Sequence, residues 1–264
     1  MDKEKDDPCF ISLADKDLSH LLPATLNNPF SGSSPEIGQV AAEHLWKYIE
    51  EHQKNWTQNF GFSTSKEGPV KGKMFGVLVV KNEQGALGYI ATFSGKFHGA
   101  PHPEIFVPSL FDISTENQFF SQGMRDLTAM GIQINDLEKG VSEHDLSAAE
   151  ALREQRKDKS RYLQDYLFSN YHFLNKEGHS KNLLEIFADY NKIKPPSGAG
   201  ECAAPKLLHY AFKHNMKALA IAEFWWGNTR KPAGRKHQHF YPACDNKCRP
   251  ILSYMLGENV TESR

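Results

Sequence analysis

Three of the chain's four cysteines fall in one late stretch, Ser197 to Pro250, and they are the residues with the clearest capacity for chemistry. Cys202 follows the glycine-rich run P-P-S-G-A-G-E and precedes A-A-P-K-L-L, the opening of a helix with Pro205 in its first turn. Cys244 and Cys248 flank the start of a second helix, after Pro242 has fixed the backbone. Helix N-termini favour the thiolate over the thiol, and the thiolate is the form that ligates metal. Three cysteines so placed can bind zinc, or can be reduced thiols buried side by side. For zinc, His239 is the first candidate for the fourth position and His237 the second. A histidine there makes the site closed and structural, whereas water there leaves it open to hydrolytic chemistry.

Between the cysteines lies A-L-A-I-A-E-F-W-W-G, a buried-strand pattern ending on Trp225 and Trp226. A basic loop without acids follows, N-T-R-K-P-A-G-R-K-H-Q-H, carrying Arg230, Lys231, Arg235 and Lys236. Cations beside exposed indole rings suit the phosphates and unpaired bases of single-stranded RNA. A core role for at least one tryptophan and a solvated loop are the plainer alternatives.

These residues need a scaffold, and the rest of the chain reads as one. Residues 1–33 are polar and broken by prolines, and Ser34-Pro35-Glu36 opens a helix, Ser34 as cap and Pro35 in the first turn, with Ile37, Val40, Ala41, Leu45, Tyr48 and Ile49 on one face. Lys73 to Lys81 and Ala86 to Ser94 read as two strands joined by the turn N-E-Q-G. The loop after them holds Lys96, His98 and His102, whose expected place is the surface. From about 110 to 190 the pattern becomes helical with charges of both signs, a solvated helix or helical hairpin, and then a short helix with Leu183, Leu184, Ile186 and Phe187 inward. A last helix ends at Leu256 with Gly257 as its stop, and residues 257–264 are expected to fray.

The 264 residues are enough for one substantial core, and the net charge of −1 excludes a globally basic nucleic-acid binder. A charged N-terminus, the lack of a long apolar run and few cysteines lead to the expectation of a cytoplasmic protein with no membrane partner.

Two resemblances follow from these residues. A hairpin, a helix led by a cysteine, a strand and then P-A-C-D-N-K-C at a helix start resemble the core of zinc-dependent nucleobase and cytidine deaminases. Cys202 matches the first ligand of that family, and Cys244 with Cys248 matches its cysteine pair, one residue wider. The family's glutamate, two residues after the first ligand, is replaced here by Ala204, which leaves Glu201 as the candidate proton carrier. The phrases K-M-F-G-V-L-V-V, P-P-S-G-A-G-E-C-A-A-P-K-L-L, A-E-F-W-W-G and H-F-Y-P-A-C-x-x-K-C-x-P-I-L resemble the N-terminal region of bacterial RluA-type pseudouridine synthases. That resemblance runs from about Cys9 to Leu256 and implies an RNA-associated accessory domain beside a synthase catalytic domain acting on ribosomal or transfer RNA. The synthase's own H-R-L-D-type motif is absent from this chain.

The expectation is therefore an α/β (α+β) fold: a small sheet flanked by helices over residues 34–256, deaminase-like but incomplete, with a helical insertion at about 110–190. Its expected function is RNA modification as an accessory module. A zinc-dependent deaminase-like hydrolase using Glu201, and a purely structural or partner-binding domain, are the alternatives.

Overall fold

The structure is a computed structural model that describes residues 7–14, 17–63, 65–95, 102–111, 118–140, 142–229 and 234–257. Its architecture is mixed α/β. A four-stranded antiparallel sheet carries helices on both faces, and a two-stranded hairpin and a helical pair stand beside it.

The sheet is built from β1 (Ile11–Ser12), β2 (Lys73–Lys81), β3 (Leu87–Phe93) and β6 (Lys217–Trp226), in the order β1-β3-β2-β6. The central strand β2 is apolar on both faces because both are covered, which is why M-F-G-V-L-V-V reads as a continuous apolar run. Helix α1 (Glu36–His52) packs Ile37, Ala41, Leu45 and Ile49 against Phe75, Val77, Val79 and Phe224 on one face. The other face, with Leu78, Val80, Ile90 and Ile221, lies under α5 (Ala203–Lys213) and α6 (Asp245–Leu256) through Leu207, Leu208, Ala211, Ile251, Leu252 and Met255.

Between β3 and α5 the insertion contains α2 (Gln118–Leu137), α3 (Glu143–Asn170), the hairpin of β4 (His172–Leu174) and β5 (Ser180–Asn182), and α4 (Leu183–Asn191). Helices α2 and α3 form the helical hairpin. Gly123 lets Leu163 approach, since a β-carbon there would lie 2.6 Å from the Leu163 side chain. Arg156 donates through Nε to the carbonyl of Leu127. Among the described residues no helix is long and apolar enough to cross a membrane.

Two features of the fold differ from the sequence reading. The leading segment, expected to be irregular, contributes β1, with Ile11 opposite Tyr89, and the Asn27 side chain bonds both the N–H and the C=O of Ile221 on the sheet's far edge. The hairpin β4–β5 was hidden because its strands are only three residues long, too short to show a period of two. Residues 258–264, expected to fray, lie outside the described residues, as do Lys96 and His98. His102 is described: its Nε2 lies 2.9 Å from the carbonyl oxygen of Phe106, and its ring packs beside Phe93.

A candidate metal centre at two helix N-termini

Helices α5 and α6 start at the same end of the sheet, each behind a cysteine: Cys202 is the N-cap of α5 and Cys244 the N-cap of α6. Close packing of α5 onto the sheet depends on Gly76 of β2. A β-carbon there would come within 3.0 Å of Ala203 Cβ and 3.1 Å of Leu207 Cδ1, so a larger residue would lift the helix and Cys202 with it. Cys244 is brought opposite by the chain returning along β6. Gln238 N donates to Trp225 O, Trp225 N to His239 O and Tyr241 N to Glu223 O, after which Ala243 N is held by Pro29 O. Cys248 then follows one turn into α6.

The outcome is a cluster of three ligand atoms, the Sγ atoms of Cys202, Cys244 and Cys248, all within 4.8 Å of one another, with Cys244 and Cys248 3.4 Å apart. They are close enough to hold a metal ion. Tetrahedral thiolate ligands at ~2.3 Å from a zinc ion sit about 3.8 Å from each other, a spacing that small side-chain rotations reach from here. The Cys244 thiol is held far below the usual thiol range by hydrogen bonds from Cys202 and Cys248 and from the backbone N–H groups of α6. Cys202 is pushed up by its bond to Cys244 and by burial, partly offset by its bond to Cys248, and Cys248 is pushed up by its bonds to Cys202 and Cys244 and by burial. A divalent cation bound among them favours all three as thiolates.

Neither histidine proposed from the sequence joins them. His239 is exposed, with Nδ1 3.1 Å from the carbonyl oxygen of His237. His237 accepts a hydrogen bond from Gly227 N at its Nδ1 and lies edge-on to Trp226 and Phe62, where burial lowers its pKa.

The cluster forms one wall of a cavity of about 590 Å³. Its other walls come from Lys71, Lys73 and Met74 on β2 and the chain before it, Ser94 and Gly95 after β3, Gly198 and Glu201 before α5, Glu223 and Trp225 on β6, and Arg235 and Lys247. Glu223 is the residue the sequence reading passed over. It lies opposite Gly76, on the sheet face toward α5, and is buried to 8 % exposure with Oε1 3.3 Å from the N–H of Ala204. Burial, partly offset by that hydrogen bond, raises its pKa to about 7, and the thiolate of Cys244 adds to the rise. The signal was present in A-L-A-I-A-E-F-W-W: one carboxylate in an otherwise apolar buried strand needs a reason to be there.

Glu201, the candidate proton carrier of the alternative hydrolase reading, also lines this cavity. Its carboxylate accepts the hydroxyl of buried Tyr171, and its carbonyl accepts the N–H of Gly95. In the same cavity Lys73 donates to Ser94 O and stands over the Phe93 ring. Burial and the neighbouring Lys71 and Lys206 bring its pKa down to about 8, while Glu201 acts against them.

The aromatic and basic residues divide. Trp226 is buried, with its Nε1 donating to Gln53 Oε1, so it is a core residue and not a stacking platform for RNA. Trp225 faces the cavity, with Nε1 on Gly227 O and the Arg235 guanidinium 5.4 Å from its ring centre. Lys236 is exposed and uses its backbone N–H on the Tyr241 hydroxyl. Arg230 and Lys231 lie outside the described residues. Compared with known proteins, the chain matches no family model, no curated protein and no solved structure.

Proposed function

We propose that the chain is a zinc-dependent hydrolase of the deaminase-like kind, its cavity receiving one base-sized ring. The observation that carries this reading is the convergence of three cysteine sulfurs and the buried Glu223 carboxyl on a single cavity. Among the described residues the group of ligand atoms is three cysteines, which leaves one tetrahedral position for water or substrate. Zinc held there would supply Lewis acidity and activate water at neutral pH.

The chain's own residues account for the remainder. In this reading Glu223 takes the role of the deaminase glutamate from the strand: its Oε1 accepts the N–H of Ala204, the residue that replaces that glutamate in the sequence. Its other oxygen is available to take a proton from the attacking water and return it to the departing amine, so that a ring C–NH2 and water give C=O and ammonia. A carboxyl with a pKa near 7 exchanges protons in either direction at neutral pH. Trp225 offers a flat face to a ring at the cavity wall.

Resemblance to the accessory region of RluA-type pseudouridine synthases supports a second element of the reading, that the ring belongs to RNA undergoing modification. Arg235 beside Trp225 at the cavity is the observation in its favour. The test is ammonia release from cytidine, adenosine and short unpaired RNA by zinc-loaded protein. Release that disappears in Glu223→Gln supports hydrolysis. A lack of release from every substrate by fully zinc-loaded protein makes the centre structural.

A further inference from the structure

We infer that Lys71, Arg235 and Lys247 form a phosphate-binding rim around the cavity, so that its ligand is a phosphorylated nucleotide rather than a bare base or nucleoside. This deepens the proposed function by naming its substrate class, and it rests on that reading for what enters the cavity.

Three separate parts of the chain bring these cations to one opening: Lys71 precedes β2, Arg235 lies in the segment after β6, and Lys247 is in the first turn of α6. Lys71 and Arg235 are exposed and Lys247 is half-buried. Surface lysines and arginines elsewhere on the molecule are commonly paired, as Lys159 is with Asp126, Lys181 with Asp189 and Arg249 with Asp245. Among the described residues, no carboxylate lies within ion-pairing distance of Lys71, Arg235 or Lys247. The carboxylates on the same cavity are set deeper: Glu201 is bound to Tyr171, and Glu223 bonds Ala204 N, with Arg235 near enough to lower its pKa.

Arg235 is held for the task. Its guanidinium lies 5.4 Å from the ring centres of both Trp225 and Tyr241, so two aromatic faces restrain the group while its N–H donors remain available to an anion. Lys247 reaches past Gly198, where a β-carbon would lie 3.1 Å from its Nζ. Gly198 has φ +74°, so the bare α-carbon serves both the turn and the ammonium group. The ring-binding wall and the rim share Trp225. A nucleotide can therefore place its ring toward Glu223 and the cysteines and its phosphate outward, where charge costs little to bind.

A phosphate on a free mononucleotide and one in an RNA backbone offer the same oxygens, and the experiment separates them. Calorimetric titration of the zinc-loaded full chain at low salt would compare the four ribonucleosides, their 5′-monophosphates and an eight-nucleotide unpaired RNA of mixed sequence. At least one monophosphate or the RNA is expected to bind about tenfold or more tighter than the corresponding nucleosides. A preference for monophosphate assigns the free nucleotide; a preference for the oligomer assigns the RNA backbone. In Lys71→Ala/Lys247→Ala, and separately in Arg235→Gln, zinc content should stay at the wild-type level while the phosphate advantage falls at least threefold. Equal affinity for nucleoside and nucleotide, wild-type phosphate preference in both rim variants, or no binding by any of the probes overturns the rim. Phosphate preference without ammonia release overturns the hydrolase alone.

Discussion

The carboxylate of Glu223, on β6, accepts a hydrogen bond from the backbone N–H of Ala204, in the first turn of α5. One buried acid thus joins the sheet to the helix that carries Cys202, beside the three sulfurs. This contact caps the helix from a neighbouring strand, because Cys202 itself makes no side-chain cap bond. Structure and proposed chemistry meet in that residue, and substitution can separate them. Glu223→Gln keeps an oxygen for Ala204 N but cannot carry protons. It is expected to retain zinc and fold while losing about 10²- to 10⁴-fold in any hydrolytic rate. Glu223→Ala removes the cap as well and should also lower stability by about 1 kcal/mol. Unchanged turnover in Glu223→Gln would remove Glu223 from the chemistry.

Metal content is the most direct measurement. Purified protein is expected to carry close to one zinc ion per chain through Cys202, Cys244 and Cys248, and Cys244→Ser should release it. Because the ligands come from two helices that pack together, losing the ion should weaken that contact by several kcal/mol, roughly 10 °C in melting temperature for a chain of this size. A metal-free protein with the melting temperature of the wild type would falsify the assignment.

The sequence announced the cysteines, the hairpin and the strand that ends in Trp225 and Trp226, because short apolar runs and helix-start signals are local. The cavity was not visible there. Lys71, Lys73 and Lys247 are ordinary lysines in sequence, and only the pairing of β2 with β6 and the return of the chain after Gln238 place them around one space. His239 is a reasonable ligand by spacing, yet the cluster among the described residues is the three cysteines, and His239 lies in the segment whose main-chain bonds to β6 no spacing rule contains. Trp226 and Trp225 look alike in sequence. The alternation of the strand gives one to the core under α1 and the other to the cavity.

Gly76 provides a packing test of how the centre is held. In Gly76→Ala the new β-carbon meets Ala203 Cβ at 3.0 Å and Leu207 Cδ1 at 3.1 Å, and both sides of the contact are buried. The substitution should cost about 1–3 kcal/mol in urea denaturation and weaken zinc binding, because α5 must move and Cys202 moves with it. Stability and zinc affinity equal to wild type would mean that the helix can shift without disturbing the sulfurs.

The pH dependence of folding has an identifiable contributor away from the centre. His209, on α5, accepts the N–H of Leu174 at Nδ1 and so ties the helix to β4. Burial, with Lys213, His214 and His172 nearby, lowers its pKa to about 4 from an ordinary 6.5. The folded protein therefore holds His209 neutral, while the unfolded chain takes up a proton below about 6.5. Its contribution is fully present above pH 6.5 and is lost as pH falls from there toward 4, about 3 kcal/mol over that window at 1.36 kcal/mol per unit. His209→Gln keeps an acceptor for Leu174 N–H without a titrating group. The stability difference between wild type and this variant, from urea denaturation at pH 7.5 and pH 4.5, should move against the wild type as the solution is acidified. A difference that stays constant across that range would show that His209 is protonated in the fold as readily as in the unfolded chain.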